Sequence, residues 1–135
     1  MVPELELRLR PDPNSPAEAR RSLEALRPGL NDVLVDDAAL LVSEVVSNSV
    51  RHASLDETDA IEVRVRGSRS TLRVDVMDPG PGFDPEQIGP SGGNGGWGLK
   101  LLDRLATRWG VERNDVTRVW FELNDPVSPA TSSGT

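Results

Sequence analysis

Leu5, Leu7 and Leu9 alternate with Glu4, Glu6, Arg8 and Arg10, the period of a strand with one buried face. The segment SPAEARRSLEALRPG then changes to helical spacing. Ser15 is expected as its cap, Pro16 at the first helical position and Glu18 as the far half of a capping box. Ala19, Leu23 and Leu26 form the apolar stripe, and Pro28-Gly29 ends it. A second helix is predicted from about Asp36 to Ala53. Leu40, Leu41, Val42, Val45, Val46 and Val50 cover most of its circumference, which calls for burial on several sides.

Alternation returns at Ala60 to Arg66 and Thr71 to Met77, joined by Gly67-Ser68-Arg69-Ser70, which reads as a hairpin. From Asp78 to Gly96 glycine and proline are frequent and no period is visible; a stretch of that length in a compact domain is functional or mobile. Trp97 to Trp109 resumes helical spacing through Leu101, Leu102 and Leu105. Gly110 to Arg113 and Thr117 to Leu123 read as a second hairpin with Val119, Phe121 and Leu123 on one side. Trp120 points the other way, and is expected to pack beneath a neighbouring helix rather than to mark a partner surface. Strands and helices thus come in runs, the pattern of an α+β two-layer sandwich with helices on one face of a mixed sheet. Residues 1–124 form the predicted domain, and 125–135 a disordered tail.

Composition narrows the function classes. The chain has 135 residues, enough for one compact domain, and a formal net charge of -7, which argues against nucleic acid as a direct partner. It has no cysteine, so disulfides and thiolate metal sites are excluded. No apolar run has the length of a signal-peptide core or a membrane span, and a cytoplasmic protein without membrane attachment is expected. Lys100 is the only lysine, so no phosphate-loop motif of the GxxxxGK[ST] kind is present.

The candidate chemistry lies in three places. Glu44, Asn48 and His52 are spaced at i, i+4 and i+8 on the second helix, a stripe spanning about 12 Å. The Asn48 amide oxygen is a hard ligand suited to Mg²⁺ carrying phosphates, Glu44 could take a proton, and Arg51 could add positive charge. Spacing alone is more often that of a polar face touching water. In VDVMDPGPGFDP, Asp78 ends an apolar strand. A carboxylate there can accept a hydrogen bond from an exocyclic amine, and Gly80 and Gly82 let backbone approach a flat base; a Pro/Gly turn with a solvated Asp is the alternative. Finally GGNGGWGLKLLD joins glycines to a helix start, whose free N–H groups suit phosphates.

In this order and at these intervals, EVVSNSVRH, DPGPGF and GGWGL resemble the N-box, first glycine box and second glycine box of the GHKL ATPases. The short form, with SEVVSNSVRHA and WGLKLLDRLATRWGV, is similar to bacterial anti-sigma-factor serine/threonine kinases over about Leu5 to Leu123. The resemblance implies a Bergerat-type fold, ATP and Mg²⁺ as cofactors, and Asn48 as the metal ligand. It also implies Glu44 as general base and Asp78 on the adenine amine, with Gly80, Gly82 and Phe83 shaping the base pocket. Gly95, Gly96, Trp97, Gly98 and Leu99 would contact phosphates beneath a lid from about Pro79 to Gly95. His52 takes the place of the N-box histidine, with helix-end packing as the alternative, and Thr117 that of a threonine near adenine. Val116 stands where the family has glycine, and no Arg or Lys lies between Asp78 and Lys100. The implied partners are a sigma factor and a STAS-type anti-sigma antagonist that the chain would phosphorylate, with homodimerisation left open. The rival reading is a module in which ATP gates partner binding without efficient transfer.

Overall fold

A computed structural model describes residues 4–52, 56, 58–68, 70–80 and 96–124. Five strands, β1 (Glu4–Leu9), β2 (Ile61–Gly67), β3 (Thr71–Asp78), β4 (Arg108–Arg113) and β5 (Thr117–Asn124), form one sheet in the order β1-β2-β3-β5-β4. Helices α1 (Ser15–Leu23), α2 (Asp32–His52) and α3 (Gly96–Leu105) cover one face. The α+β two-layer class is therefore the one expected from the runs of elements.

The pairing is not mixed: all four neighbouring strand pairs are antiparallel. The connections explain this. Between β1 and β2 the chain makes two helices packed on each other, which return it to the end of the sheet it left, so β2 must run back. Between β3 and β4 there is one described helix, so β4 runs the same way as β3, but β5 inserts between them and removes the one possible parallel pair.

The alternation read from sequence is the alternation of burial. Val63, Val65, Leu72, Val74, Val76, Val119, Phe121 and Leu123 are all buried and meet Leu23, Leu34, Leu41, Val42, Val45 and Val46 from the helices. On the opposite face most outward positions are Arg, Asp or Glu; the middle row runs Glu6, Arg64, Asp75, Trp120, Gly110. Trp120 lies on that helix-free face, not beneath a helix. The Arg73 guanidinium stacks over its indole at 4.5 Å from the ring centroid, which supplies the cover a helix was expected to provide.

Four local expectations shift. Asn14, not Ser15, is the N-cap of α1, and it makes no side-chain cap bond. The Ser15 hydroxyl donates instead to the Arg10 carbonyl and is buried, so the predicted capping box does not form. Beyond Leu23 the chain continues as a 3₁₀ turn over Glu24–Gly29, which accommodates Pro28 before the chain stops. Helix α2 starts four residues earlier than Asp36, because the Asn31 side chain accepts the Val33 N–H at 2.8 Å and Leu34, Val35 and Ala38 extend the buried stripe. Ala53, the predicted helix end, lies outside the described residues. At the other end of the domain, α3 closes at Leu105, with the Ala106 N–H bonded to Leu102. Trp109, expected on that helix, is in β4, since the Thr107 N–H is taken by the Glu122 carbonyl and the chain is captured as a strand beside β5.

Candidate active site

Helix α2 is apolar on most sides, and the polar groups it buries are concentrated near its C-terminal end. Asn48 and Ser49 are each 1% exposed. The next turn back carries Glu44, half-buried, and Arg51 is exposed and makes no ion pair among the described residues. His52 is the last residue of α2, and its side chain lies outside the described residues.

Asp78 ends β3 directly beside this helix. Its carboxylate is 4% exposed; one oxygen accepts the Ser49 hydroxyl at 2.8 Å and the other accepts the Gly80 N–H at 2.9 Å. Burial pushes the Asp78 carboxyl above the usual carboxylate range, while the Ser49 and Gly80 hydrogen bonds act against that shift. Thr117, the cross-strand partner of Asp78 on β5, is 2% exposed and donates its hydroxyl to the Gly80 carbonyl at 3.3 Å. The sequence-predicted residues Asn48, Asp78, Gly80 and Thr117 are thus gathered where α2 meets the ends of β3 and β5. Val116, in the place of the family's glycine, is 42% exposed. It stands at a hollow of about 320 Å³ that Met77, Asp78 and Pro79 also line.

Ser49 is the residue that sequence reasoning missed. A hydroxyl among Val45, Val46 and Val50, next to Asn48, was the available signal, since a polar group on so apolar a helix requires a partner. Its partner, 29 positions away, is set by packing and not by local pattern.

The Asn48 amide oxygen is buried and has no hydrogen-bond partner among the described residues. A buried acceptor without a donor is costly, about 1–3 kcal/mol, unless something else satisfies it. Among the described residues no three His, Asp or Glu side chains converge on a metal site. A hard cation at Asn48 would therefore share its remaining coordination with oxygens of a ligand, the usual habit of Mg²⁺. Gly96, Trp97, Gly98 and Leu99 form the first turn of α3, a helix that packs on α2 and has no acidic residue in that turn. The N–H groups of a first helical turn have no partner within the helix, the feature that suits an anion. Gly82, Phe83, Gly95 and most of the predicted lid lie outside the described residues.

Comparison with known proteins points the same way. Residues 9–123 match the model of the histidine kinase-like ATPase domain. An uncharacterised protein of Streptomyces coelicolor is 36% identical over 105 residues, 69% of this chain and 99% of that one. The serine-protein kinase RsbW of Listeria innocua is 32% identical over 120 residues, 78% of this chain and 76% of that one. Among solved structures, the RsbU and RsbW domains of a Mycobacterium tuberculosis protein superpose with a TM-score of 0.69 at 20% identity over 90% of this chain, which spans only 32% of that one. The blue-light-activated histidine kinase of Erythrobacter litoralis superposes with a TM-score of 0.54 at 23% identity over 86% of this chain and 42% of that one; these two likenesses speak for the fold. With the family model covering four of the five described strands and all three described helices, the chain belongs to the histidine kinase-like ATPase family, the ATP-binding GHKL group that its three motifs resemble.

Proposed function

We propose that the chain is an ATP- and Mg²⁺-dependent serine/threonine protein kinase of the anti-sigma-factor type, which binds a sigma factor and phosphorylates a STAS-type antagonist. The observation that carries this reading is the amide oxygen of Asn48, buried without a hydrogen-bond partner among the described residues, one helical turn past Glu44 and beside Ser49, which bonds Asp78. The likeness to a serine-protein kinase, of which the alignment covers 76%, supports the choice of transferase within the family.

In this mechanism Asp78, held by Ser49 and Gly80, accepts a hydrogen bond from the adenine amine, and Thr117 steadies the Gly80 carbonyl behind it. Guanine presents an acceptor where adenine has a donor, so ATP is favoured over GTP by about 2–4 kcal/mol. The Asn48 oxygen would hold Mg²⁺, which when bound neutralises charge on the phosphates. Backbone N–H groups in the first turn of α3 orient those phosphates. As the acceptor hydroxyl oxygen bonds to the γ-phosphorus, its proton passes to the Glu44 carboxylate, and the bond to the β–γ bridging oxygen breaks to release ADP.

Glu44→Gln keeps shape and hydrogen bonding but takes up no proton. It is expected to retain MgATP affinity while single-turnover transfer to the antagonist falls by about 10²–10⁴-fold. Unchanged transfer would remove Glu44 as the base. The absence of any Arg or Lys between Asp78 and Lys100 favours a second reading, an ATP-gated binding module. That reading replaces the kinase if wild-type protein binds MgATP yet phosphorylates no co-purifying partner.

A further inference from the structure

The helix-free face of the sheet carries a hollow of about 330 Å³. Four arginines line it, Arg64, Arg66, Arg73 and Arg118, with a single carboxylate, Asp75. The chain as a whole has a formal charge of -7, so this is a local reversal of sign.

The four cations are not equally committed. Arg73 is held on three sides: Asp75 at 3.0 and 3.1 Å, Glu122 at 3.0 Å, and the Trp120 ring beneath it. Arg118 shares the same Asp75 at 3.6 Å. Arg64 has only a loose ion pair at 3.7 Å with Glu6, whose side chain is 78% exposed. Arg66 is exposed, has no ion pair or hydrogen bond among the described residues, and lies directly opposite Arg73 in the β2–β3 register. Its register neighbour on the other side, Glu4 of β1, forms no ion pair with it among the described residues; like charges placed directly opposite destabilise a sheet, so a further counter-ion at Arg66 would relieve the repulsion from Arg73.

Arg64 and Arg66 are two residues apart on β2, about 6.6 Å along the strand. That is also the separation of same-side carboxylates on an extended peptide. We propose that this face docks an extended acidic segment of a protein partner, with carboxylates at alternate positions paired to Arg64 and Arg66. A compact anion would need guanidinium groups converging on one point, whereas the two available ones are spread along a strand. A nucleic acid would carry its row of phosphates well beyond this hollow over a chain of formal charge -7, whereas a short acidic segment can confine its carboxylates to the arginines.

The test uses the whole chain and a fluorescently labelled Glu-Ser repeat dodecapeptide, followed by anisotropy. Saturable binding is expected, weakened about tenfold or more between roughly 50 and 500 mM salt. The double variant R64E/R66E is expected to abolish it, and R64Q/R66Q to weaken it at least about tenfold; circular dichroism melting reports whether either variant is folded. R20E/R21E makes the same charge change on exposed positions of α1 and is expected to leave binding within about twofold. No saturable binding, equal binding of a Gln-Ser repeat, or an equal loss in R20E/R21E would overturn the proposal. So would full displacement by equimolar pyrophosphate, which marks a compact-anion site, or wild-type dimers in sedimentation that R64E/R66E dissociates, which marks a second copy of this chain as the occupant.

Discussion

Asp78 shows how one side chain can serve binding at the expense of stability. With 4% of its surface exposed, it carries its charge in a place where burial raises its pKa, and only the Ser49 hydroxyl and Gly80 N–H act against this. A raised folded-state value means that protonation favours the folded chain. The stabilisation is complete below the ordinary aspartate value of 3.8 and is lost as pH rises through the folded value. At neutral pH the charged form is therefore a net burden. Asp78→Asn keeps an acceptor for Gly80, and the Ser49 hydroxyl can rotate to accept from the new amide. The variant is expected to be more stable than wild type at pH 7, by on the order of 1 kcal/mol, with the advantage fading as pH falls toward that of the protonated acid. Its ATP affinity should drop by about 1.5–3 kcal/mol, the value of a hydrogen bond to a charged acceptor. Melting without nucleotide at both pH values, with calorimetry for ATP, checks both halves; a variant less stable at pH 7 would contradict the burial argument.

Strand β4 illustrates a different dependence, of an element on a neighbour's side chain. As an edge strand with a partly exposed surface it pairs only with β5. At Gly110 the Trp120 indole lies so close that an added Cβ would come within 2.8 Å of Nε1 and 3.0 Å of Cε2 and Cζ2. The ring cannot simply move away, because Arg73 stacks on it. Gly110→Ala is thus expected to lower stability by about 1 kcal/mol through loss of ring packing and of the cation–π contact. In a Trp120→Ala background the same change should be nearly neutral, since the space is then open. Urea unfolding of the four chains of this double-mutant cycle measures the coupling, and a cost that persists without the indole would place its origin in the backbone. The element-scale errors of sequence reading have the same character. The helical spacing of Trp97 to Trp109 was real, but Trp109 obeys its pairing with Phe121 on β5, a contact that no local window contains.

For the molecule as a whole, every buried apolar residue among those described lies from Leu9 to Leu123. The last strand ends at Asn124, whose N–H is taken by the Thr107 hydroxyl at 3.1 Å. A chain ending at Asn124 is therefore expected to keep the melting temperature and the urea slope of the full chain, the latter within the roughly 10–15% error of such measurements. A smaller slope would show that residues 125–135 bury surface against the domain. No described helix is long and apolar enough to cross a membrane, and the apolar stripes of α1 and α2 are consumed by the sheet and by each other.

The sequence by itself determined the elements and their buried faces, because periods of 2.0 and 3.6 are local properties of strand and helix. It also determined the order of the three motifs, and with them the expectation of an ATP site, which depends on residue types at short intervals. What only the tertiary structure decided are the contacts between segments far apart in the chain. These are the hydrogen bond from Ser49 to Asp78 and the insertion of β5 between β3 and β4, which makes the sheet antiparallel. The place of Trp120 on the helix-free face, half-buried under Arg73, and the unpaired charge at Arg66 belong with them. Each results from register and packing, where a side chain's environment is set by partners tens of residues away, and alternation along one strand specifies which face a residue takes but not what it meets there.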